Sequence, residues 1–373
     1  MIKYLGSKRR LVPALSAIAR AVEARTALDL FTGTTRVAQT FKQAGAHVTA
    51  VDTARYAHVF ARCYIGTDAR SVDQIELAAV LAGLDDLPGR PGYVTEVFCR
   101  QARFFQPENG ARIDAIRDAI SRDWAGSPLE PILLTSLIEA ADRVDSTTGV
   151  QMAYVKRWAD RSHQPLRLRV PELLPGDGTA ILGDAVLLAP TLPAVELAYL
   201  DPPYNQHRYT ANYHVWETLV AWDAPPHYGV ACKRADLRDP ETRSVFNARR
   251  AMPVALKHVI ESLDADVLVA SCSDEGWVTM EDLREWCAPR GHVAVLSFDS
   301  RRYVGAQIGV FNPQGKRVGE PTRMRNVEYL VLCGERGLVE RCCAAVAAAA
   351  SHRQAPNVTS TIGARATRSS TEV

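Results

Sequence analysis

The pattern of apolar and polar residues at the start of the chain predicts a helix followed by alternating strands and helices. Residues 11–24 place apolar side chains at helical spacing, and the run TALDLF then predicts a short buried strand. The turn TGTTR, a helix ending at Gly45 and a second strand, AHVTAVD, follow. Such a strand–helix–strand unit is typical of a parallel sheet.

The pattern changes between residues 55 and 175, where strand signals fade and amphipathic helices dominate. Four runs carry this signal: IELAAVLAGL, ARIDAIRDAI, PILLTSLIEAADRV and VQMAYVKRWA. We therefore expect a helical insert within an α/β domain.

The α/β pattern then resumes at AILGDAVLL, with a strand that ends at Asp184, and further strands are predicted at VELAYL, DVLVASC, GHVAVLSF and EYLVLCG. Helices are predicted near 213–222, at 251–263 and at TMEDLREWC. Residues 340–350 favour a helix, and residues 351–373 are polar without periodicity, which predicts disorder. The predicted domains are a first catalytic part (1–54), the insert (55–175), a second catalytic part (176–336) and the helix-prone segment with its disordered tail (337–373).

Composition adds modest constraints. The 373 residues are 47% hydrophobic, so the chain can bury a large core, and the net charge of +2 neither requires nor excludes a nucleic-acid partner. The eight cysteines form no CxxC pair and no metal-ligand spacing, which favours reduced thiols and no metal site. No run approaches the roughly 20 apolar residues of a membrane span. We expect a soluble, cytoplasmic protein.

Acidic residues recur where predicted strands end. Asp29 and Gly33 belong to the turn after the first strand, Asp52 ends the second, and Asp184 follows a third. Each alone is compatible with an ordinary turn, but the carboxyl ends of parallel strands form the ligand-binding edge of such sheets. Asp52, about twenty residues after the turn, stands where an acceptor for ribose hydroxyls is expected.

The tetrapeptide Asp201-Pro202-Pro203-Tyr204 follows the buried run VELAYL. The prolines stiffen the chain and leave its carbonyls free to accept hydrogen bonds. A carboxylate, a fixed carbonyl and an aromatic face suit the exocyclic amine of a planar base, with the ring stacked on Tyr204. This arrangement orients the amine toward a methyl sulfonium without covalent catalysis. Two nearby histidines, His207 and His214, are less suited to general-base work, because the methylated amine loses its proton readily.

These motifs resemble those of the Dam-like class of S-adenosylmethionine-dependent DNA N6-adenine methyltransferases. The matching segments are KYLGSKRRL (3–11), DLFTGTTRV (29–37), VD (51–52) and DPPYNQHRYTANYHVWET (201–218), with weaker similarity at STTGVQMAYVKRW and RNVEYLVLC. The family has a second glycine where this chain has Thr35, and a side chain there could crowd the cofactor.

The resemblance implies a Rossmann-like methyltransferase sheet with helices on both faces, and it makes the helical insert the target-recognition domain. It also implies transfer of a methyl group to N6 of an adenine flipped out of double-stranded DNA, within restriction–modification or phage defence, with a cognate restriction endonuclease as a candidate partner. The cofactor-binding positions it implies are Tyr4, Gly6, Ser7, Lys8, Asp29, Phe31, Gly33, Thr34, Asp52, Asp184 and Asp201.

Basic segments are the candidates for contacts with the DNA backbone. One lies in the insert, one over residues 231–250, where order could depend on DNA, and one over residues 301–325, whose glycine-rich centre predicts a hairpin or a flexible loop. The candidate residues are Lys156, Arg157, Arg161, Lys233, Arg234, Arg301, Arg302, Lys316 and Arg317.

Three alternative functions stay open. An N4-cytosine methyltransferase would use the same amine geometry, although such enzymes more often carry Ser in place of Asp201. A protein glutamine methyltransferase would carry Asn there and would leave the basic segments without a role. A non-catalytic DNA-binding subunit could keep the fold, but the intact acidic positions argue against it.

Overall fold

The computed structural model describes residues 2–154, 157–203, 208–301, 310–311, 317–319, 325–350 and 357–359. Its strands are β1 (Thr26–Asp29), β2 (His47–Asp52), β3 (Gly178–Leu182), β4 (Val195–Leu200), β5 (His227–Tyr228), β6 (Lys233–Arg234), β7 (Ala265–Ser273), β8 (His292–Arg301), β9 (Val310–Phe311), β10 (Arg317–Gly319), β11 (Arg325–Gly334) and β12 (Asn357–Thr359).

Helices connect and cover these strands. They are α1 (Val12–Val22), α2 (Arg36–Gln43), α3 (Arg55–Tyr64), α4 (Gln74–Asp85), α5 (Pro107–Asp123), α6 (Glu130–Arg143), α7 (Ala185–Leu188), α8 (Tyr209–Asn212), α9 (His214–Ala221), α10 (Met252–Ser262), α11 (Met280–Cys287) and α12 (Arg336–Ala350). A π-helix spans Val94–Gln101. Among the described helices, none has the length and apolar character needed to cross a bilayer.

One eight-stranded sheet organises the chain, in the order β12-β8-β11-β7-β4-β1-β2-β3. Strands β3, β2, β1, β4 and β7 are parallel, whereas β11 runs antiparallel to both β7 and β8. Strand β1 has β2 on one side and β4 on the other, so the order of the strands along the chain changes direction at β1. In parallel sheets of this kind, ligands bind next to such a strand, at the edge formed by the carboxyl ends of the strands.

Both faces of the sheet are buried. Along β4, Leu197 and Tyr199 pack in one hydrophobic cluster, while Ala198 and Leu200 pack in the other. Successive residues of a strand point to opposite faces, so a continuous apolar run such as VELAYL can serve both. Helices α1, α2, α3 and α12 contribute to the first cluster and α10 and α11 to the second, which confirms the α/β prediction with helices on both faces.

The region between residues 55 and 175 contains helices and no strand among its described residues. Its apolar side chains, such as Leu133 and Ile138, belong to the same cluster as Val48 of β2. Arg117 of α5 donates hydrogen bonds to the carbonyls of Leu219 and Val220 at the end of α9. The helical region is therefore packed onto the sheet and onto the helix that follows β4.

Most predicted elements are confirmed within a few residues, but the helix predicted at VQMAYVKRWA is wrong. Its described residues form turns. Gln151 explains the difference, because it is buried and joined to α8 and α9. Its N–H donates to the carbonyl of Asn212, and its side-chain oxygen accepts from the N–H of Val215.

The carboxyl-terminal region also departs from the prediction. Residues 357–359 form β12, which pairs with β8, so this part of the predicted disordered tail is a strand; the rest of the tail lies outside the described residues. Between β8 and β11, strands β9 and β10 pair antiparallel, in agreement with the predicted hairpin. Because β8 runs in the same direction as β7, this hairpin leaves the sheet at the edge where β4 ends.

Candidate active site at the carboxyl edge of the sheet

A cavity of about 370 Å³ lies at the carboxyl ends of β1 to β4, a size typical of small-molecule sites. Asp29 ends β1, Asp52 ends β2, Asp184 caps α7 after β3 by accepting from the N–H of Val186, and Asp201 follows β4. All four line the cavity. Parallel strands thus bring together four carboxylates that are up to 172 positions apart in sequence.

The same cavity brings together every residue predicted to bind the cofactor. Its lining includes Tyr4, Gly6, Ser7, Lys8, Asp29, Phe31, Gly33, Thr34, Asp52, Asp184 and Asp201. Pro203 lines it as well, Pro202 is buried next to it in sequence, and Tyr204 lies outside the described residues. The geometry is that of one site, and the role of each residue toward a ligand stays a prediction.

Asp29 is almost fully buried. Its Oδ2 accepts hydrogen bonds from Thr32 Oγ1 at 3.0 Å and from the N–H of Ala38 at 3.1 Å. Its Oδ1 has no hydrogen-bond partner among the described residues. Burial, with a smaller contribution from Asp201, raises the pKa of Asp29 to about 7. A buried acceptor without a partner is costly, so this oxygen favours a ligand that donates a hydrogen bond.

Asp52 shapes the turn between β1 and α2. Its Oδ2 accepts from the N–H of Gly33 at 2.8 Å, and its Oδ1 accepts from the N–H of Ala54 at 2.9 Å. Burial raises the pKa of Asp52. Gly33 has φ +52°, and a Cβ there would lie 3.2 Å from the ring of Tyr4. Both the backbone angle and the close approach favour glycine at this position.

The amino-terminal loop closes one side of the cavity. Lys8 is buried, and its Nζ lies 2.9 Å from Asp201 Oδ1. Burial raises the pKa of Asp201, and the Lys8 ammonium partly offsets this by favouring the ionised carboxylate. Tyr4 stacks on Tyr213 with ring centroids 4.7 Å apart. The loop is therefore joined both to the end of β4 and to the residue that precedes α9.

Thr35 does not crowd the cavity. Its side chain is fully buried and is not part of the cavity lining. Thr35 Oγ1 donates to the carbonyl of Thr34 and accepts from Gln39 Nε2. The residue has φ +60°, which explains why a glycine suits this position. The expected steric conflict with a cofactor is therefore not present in this conformation.

The segment 231–250 has a different place from the one that its basic composition predicted. Phe246 is buried and packs edge-to-face on Phe31, with ring centroids 5.0 Å apart. The other residues of this segment that line the cavity are Arg234, Asp236, Leu237, Thr242, Arg243, Ser244 and Asn247. Sequence reasoning missed this wall of the cavity; the aromatic Phe246 within a basic segment was the available signal.

The residues predicted to contact DNA differ in their surroundings. Arg234 is only 5% exposed and is paired with Asp223 at 2.6 Å and Asp236 at 2.7 Å, so its position does not fit the predicted contact with the DNA backbone. Arg161 is paired with Asp145 at 2.7 Å and donates to the carbonyl of Thr147. These guanidinium groups hold protein segments together.

The remaining candidates are less constrained. Arg157 is exposed and Lys233 is half-buried. Arg301 ends β8 and Arg317 begins β10, and only their backbones are described. Lys156, Arg302 and Lys316 lie outside the described residues.

Of the two histidines near the tetrapeptide, the structure describes only His214. His214 is fully buried, its Nε2 contacts the carbonyl oxygen of Gln151 at 2.9 Å, and burial lowers its pKa to about 3. These features agree with the expectation that His214 is poorly suited to act as a general base. His207 lies outside the described residues.

Residues 4–284 match the D12 class N6 adenine-specific DNA methyltransferase family. The chain belongs to this family. It is therefore an enzyme of DNA methylation specific for adenine, and methyltransferases of this family use S-adenosylmethionine chemistry in general. The matched span contains the cavity, the four acidic strand ends and the helical region.

Three curated proteins show how far this family relationship extends. The type II methyltransferase M.NlaIII of Neisseria lactamica is 28% identical over 319 residues, which covers 81% of this chain and 92% of that protein. The modification methylase StsI of Streptococcus sanguinis is 28% identical over 304 residues, and the type II methyltransferase M.FokI of Planomicrobium okeanokoites is 25% identical over 307 residues. The alignments with StsI and M.FokI each cover 76% of this chain, but they cover only 45% of StsI and 46% of M.FokI.

Proposed function

We propose that the cavity binds S-adenosylmethionine and that Asp201, with Pro202 and Tyr204, holds the target adenine of double-stranded DNA. The supporting observation is the meeting of Asp29, Asp52 and Asp201 in one cavity. When bound, the cofactor supplies an activated methyl group on a sulfonium. The rest of the proposal concerns what the side chains of this chain do.

The residues present suit this cofactor. Asp29 Oδ1 is a buried acceptor without a partner among the described residues, which suits a hydrogen-bond donor. Phe31 and Phe246, packed edge-to-face, give the cavity an aromatic, apolar wall, which suits a purine ring. Asp52 stands at the end of β2, where α/β nucleotide sites place the acceptor for ribose hydroxyls.

Asp201 is the proposed catalytic residue. Its carboxylate accepts one hydrogen of the exocyclic amine, and the carbonyl of Pro202 accepts the other. Lys8, 2.9 Å from Asp201 Oδ1, favours the ionised form that can accept. Tyr204 is proposed to stack on the adenine ring. The methylated nitrogen then releases its proton to Asp201 or to water.

The target base must leave the duplex to reach Asp201, at a cost of roughly a few kcal/mol. We propose that the helical insert is the target-recognition domain and that the hairpin between β8 and β11 contacts the DNA backbone. The hairpin leaves the sheet at the edge where Asp201 lies. Two of the predicted DNA-contact residues adjoin it among the described residues: Arg301 ends β8 and Arg317 begins β10.

A role in restriction–modification, with a cognate endonuclease as partner, belongs to the same proposal. Two of the three curated relatives described above carry the designation of type II methyltransferase, and the third is a modification methylase. A methyltransferase of this kind protects host DNA from the partner nuclease at the same sequence.

The test is the Asp201→Ala variant with labelled S-adenosylmethionine and double-stranded DNA. Methyl transfer should fall on the order of a thousandfold, because the amine loses its charged acceptor. The matched control is Asp264→Ala, which removes an exposed aspartate before β7 at the opposite edge of the sheet.

Two readouts decide the result. Nucleoside mass analysis should find N6-methyladenine with wild type and with the control, and calorimetry should show that Asp201→Ala still binds S-adenosylhomocysteine. Full methyl transfer by Asp201→Ala would remove the proposed mechanism.

A further inference from the structure

Glu217 is a buried carboxylate of the cavity that the motif-based site residues do not include. It lies on α9, the helix that follows the catalytic loop, and its exposed fraction is 9%. It lines the same cavity as Asp52 and Arg55. A carboxylate is rarely buried to this degree without a specific role.

One oxygen of Glu217 has a structural partner. Oε1 accepts a hydrogen bond from the N–H of Tyr56 at 3.1 Å, in the first turn of α3, where backbone N–H groups lack partners within the helix. No hydrogen bond or ion pair joins Oε2 to another of the described residues. The side chain is therefore held in place at one oxygen, and the other oxygen is available to a molecule in the cavity.

The hydrogen bond to Tyr56 locates Glu217 within the cavity. Tyr56 lies at the start of α3, shortly after Asp52, and the neighbouring Ala54 donates its N–H to Asp52 Oδ1 at 2.9 Å. Glu217 is thus on the Asp52 side of the cavity, whereas Asp201 is paired with Lys8 at the end of β4. Burial is the main cause that raises the pKa of Glu217 to about 7; Arg55 and Arg234 act in the opposite direction, and Asp52 raises it further.

We propose that Glu217 is a second carboxylate of the ribose site, and that its Oε2 accepts a hydrogen bond from one hydroxyl of the cofactor ribose while Asp52 accepts from the other. This inference rests on the proposed S-adenosylmethionine site. Both oxygens of Asp52 already accept from backbone N–H groups, those of Gly33 and Ala54. A vicinal diol offers two donors, and two separate carboxylates match them.

This arrangement also links the two halves of the site. Asp52 ends β2, whereas α9 follows β4 and the catalytic loop. Through Oε1, Glu217 joins α9 to the start of α3, which follows β2. Binding at the ribose would therefore stabilise the position of the helix next to the catalytic loop.

The experiment compares wild type with Glu217→Gln for binding of S-adenosylhomocysteine, measured by calorimetry, with no methyl acceptor present. The glutamine keeps an oxygen for the N–H of Tyr56 and replaces the free carboxylate oxygen with an amide nitrogen. Loss of a charge-assisted hydrogen bond should weaken binding by tenfold to a hundredfold, on the order expected for such bonds. Glu261→Gln, on the exposed side of α10, is the matched control and should bind as wild type does.

Two analogues of S-adenosylhomocysteine, each lacking one ribose hydroxyl, identify the group that Glu217 contacts. Wild type should bind one analogue at least about tenfold more weakly than the parent ligand, and Glu217→Gln should show little further loss on that analogue. Glu217→Asp, which keeps the charge but draws the oxygens back by one methylene, provides a second variant should Glu217→Gln not fold.

Equal binding of S-adenosylhomocysteine by wild type and Glu217→Gln would overturn the inference and leave the cofactor site intact. The same would follow if Glu217→Gln weakened the parent ligand and both analogues by one common factor, since the ribose would then not be its partner. Absence of binding by wild type would instead overturn the proposed cofactor site, and this inference with it.

Discussion

The cavity at the strand ends and the basic segment 231–250 both concentrate charged residues, but their charges have different partners. In the cavity, burial raises the pKa values of Asp29, Asp52 and Asp201. In the segment, the guanidinium of Arg234 is paired with Asp236 and with Asp223, which precedes the segment, and its hydrogen bond lowers the pKa of Asp223.

The difference shows what each region is suited to. A buried carboxylate that lacks a cation is unfavourable in the empty protein and favours a ligand with positive charge or hydrogen-bond donors. An arginine that already has two carboxylate partners is suited to holding its own segment in place. Charge in the sequence is therefore a better guide to ligand binding where the fold buries it without an oppositely charged partner among the described residues, as at Asp29 and Asp52.

Among the variants that test this contrast, we expect the largest effect from removal of the Asp52 carboxylate, which should weaken binding of S-adenosylhomocysteine. Asp52→Ala removes the acceptor for the N–H groups of Gly33 and Ala54, so the turn that forms the cavity wall loses two charge-assisted hydrogen bonds. We expect the dissociation constant of S-adenosylhomocysteine to rise at least about a hundredfold, at roughly 1.5 kcal/mol or more for each bond. Calorimetry measures this change.

The conservative variant Asp52→Asn supplies the control, because its single carbonyl oxygen can keep one of the two bonds. Its affinity should lie between those of wild type and Asp52→Ala. A change of less than about fivefold in Asp52→Ala would mean that the turn holds its shape without this carboxylate and that Asp52 is not the acceptor for a ribose hydroxyl.

The pH dependence of stability should reveal the buried carboxylates in the empty protein. Asp29 has a pKa of about 7 in the folded chain and 3.8 as its ordinary value. The folded state therefore holds this proton more tightly, so the contribution to stability is present below about pH 4 and is lost as the pH rises to about 7. The upper limit is roughly 4 kcal/mol, and we expect about 2 kcal/mol because the cavity is open to water.

Chemical denaturation of wild type and Asp29→Asn at pH 4.5 and pH 8 isolates this group, because all other titrating residues are shared. Wild type should lose about 2 kcal/mol relative to the variant between the two conditions. Parallel pH profiles for the two proteins would show that Asp29 is ionised throughout and that water or an ion satisfies it.

Arg234→Ala should have the smallest effect, and it tests the other side of the comparison. The variant leaves Asp223 and Asp236 without their cation; because these carboxylates are 40% and 43% exposed, we expect a loss of about 1–2 kcal/mol in the free energy of unfolding. The salt dependence of DNA binding should not change, because a buried guanidinium neutralises no phosphate.

Arg249→Ala is the matched control, since Arg249 is exposed in the same segment; it should leave the free energy of unfolding unchanged. If Arg234→Ala instead kept full stability and lowered the salt slope by about one, then Arg234 would contact DNA, and the segment would rearrange on binding.

The local sequence was informative where physical constraints act over a few residues. Apolar runs predicted the buried strands, and Gly45 and Gly33 marked turns that need a positive φ, which both have in the structure. The acidic strand ends could be assigned to one edge because parallel strands all end on the same side of a sheet. The eleven cofactor positions implied by the family resemblance line one cavity, and their roles toward the cofactor stay predictions.

Tertiary structure decided the rest. The sequence determined the α/β pattern, the acidic strand ends and the Asp-Pro-Pro-Tyr turn, because each depends on neighbours along the chain. Only the fold decided that Arg234 is paired inside the protein, that Phe246 forms a cavity wall, and that Glu217 reaches the Asp52 side of the site. These outcomes depend on which residues, distant in sequence, become neighbours in space, and hydrophobic periodicity carries no information about such pairs.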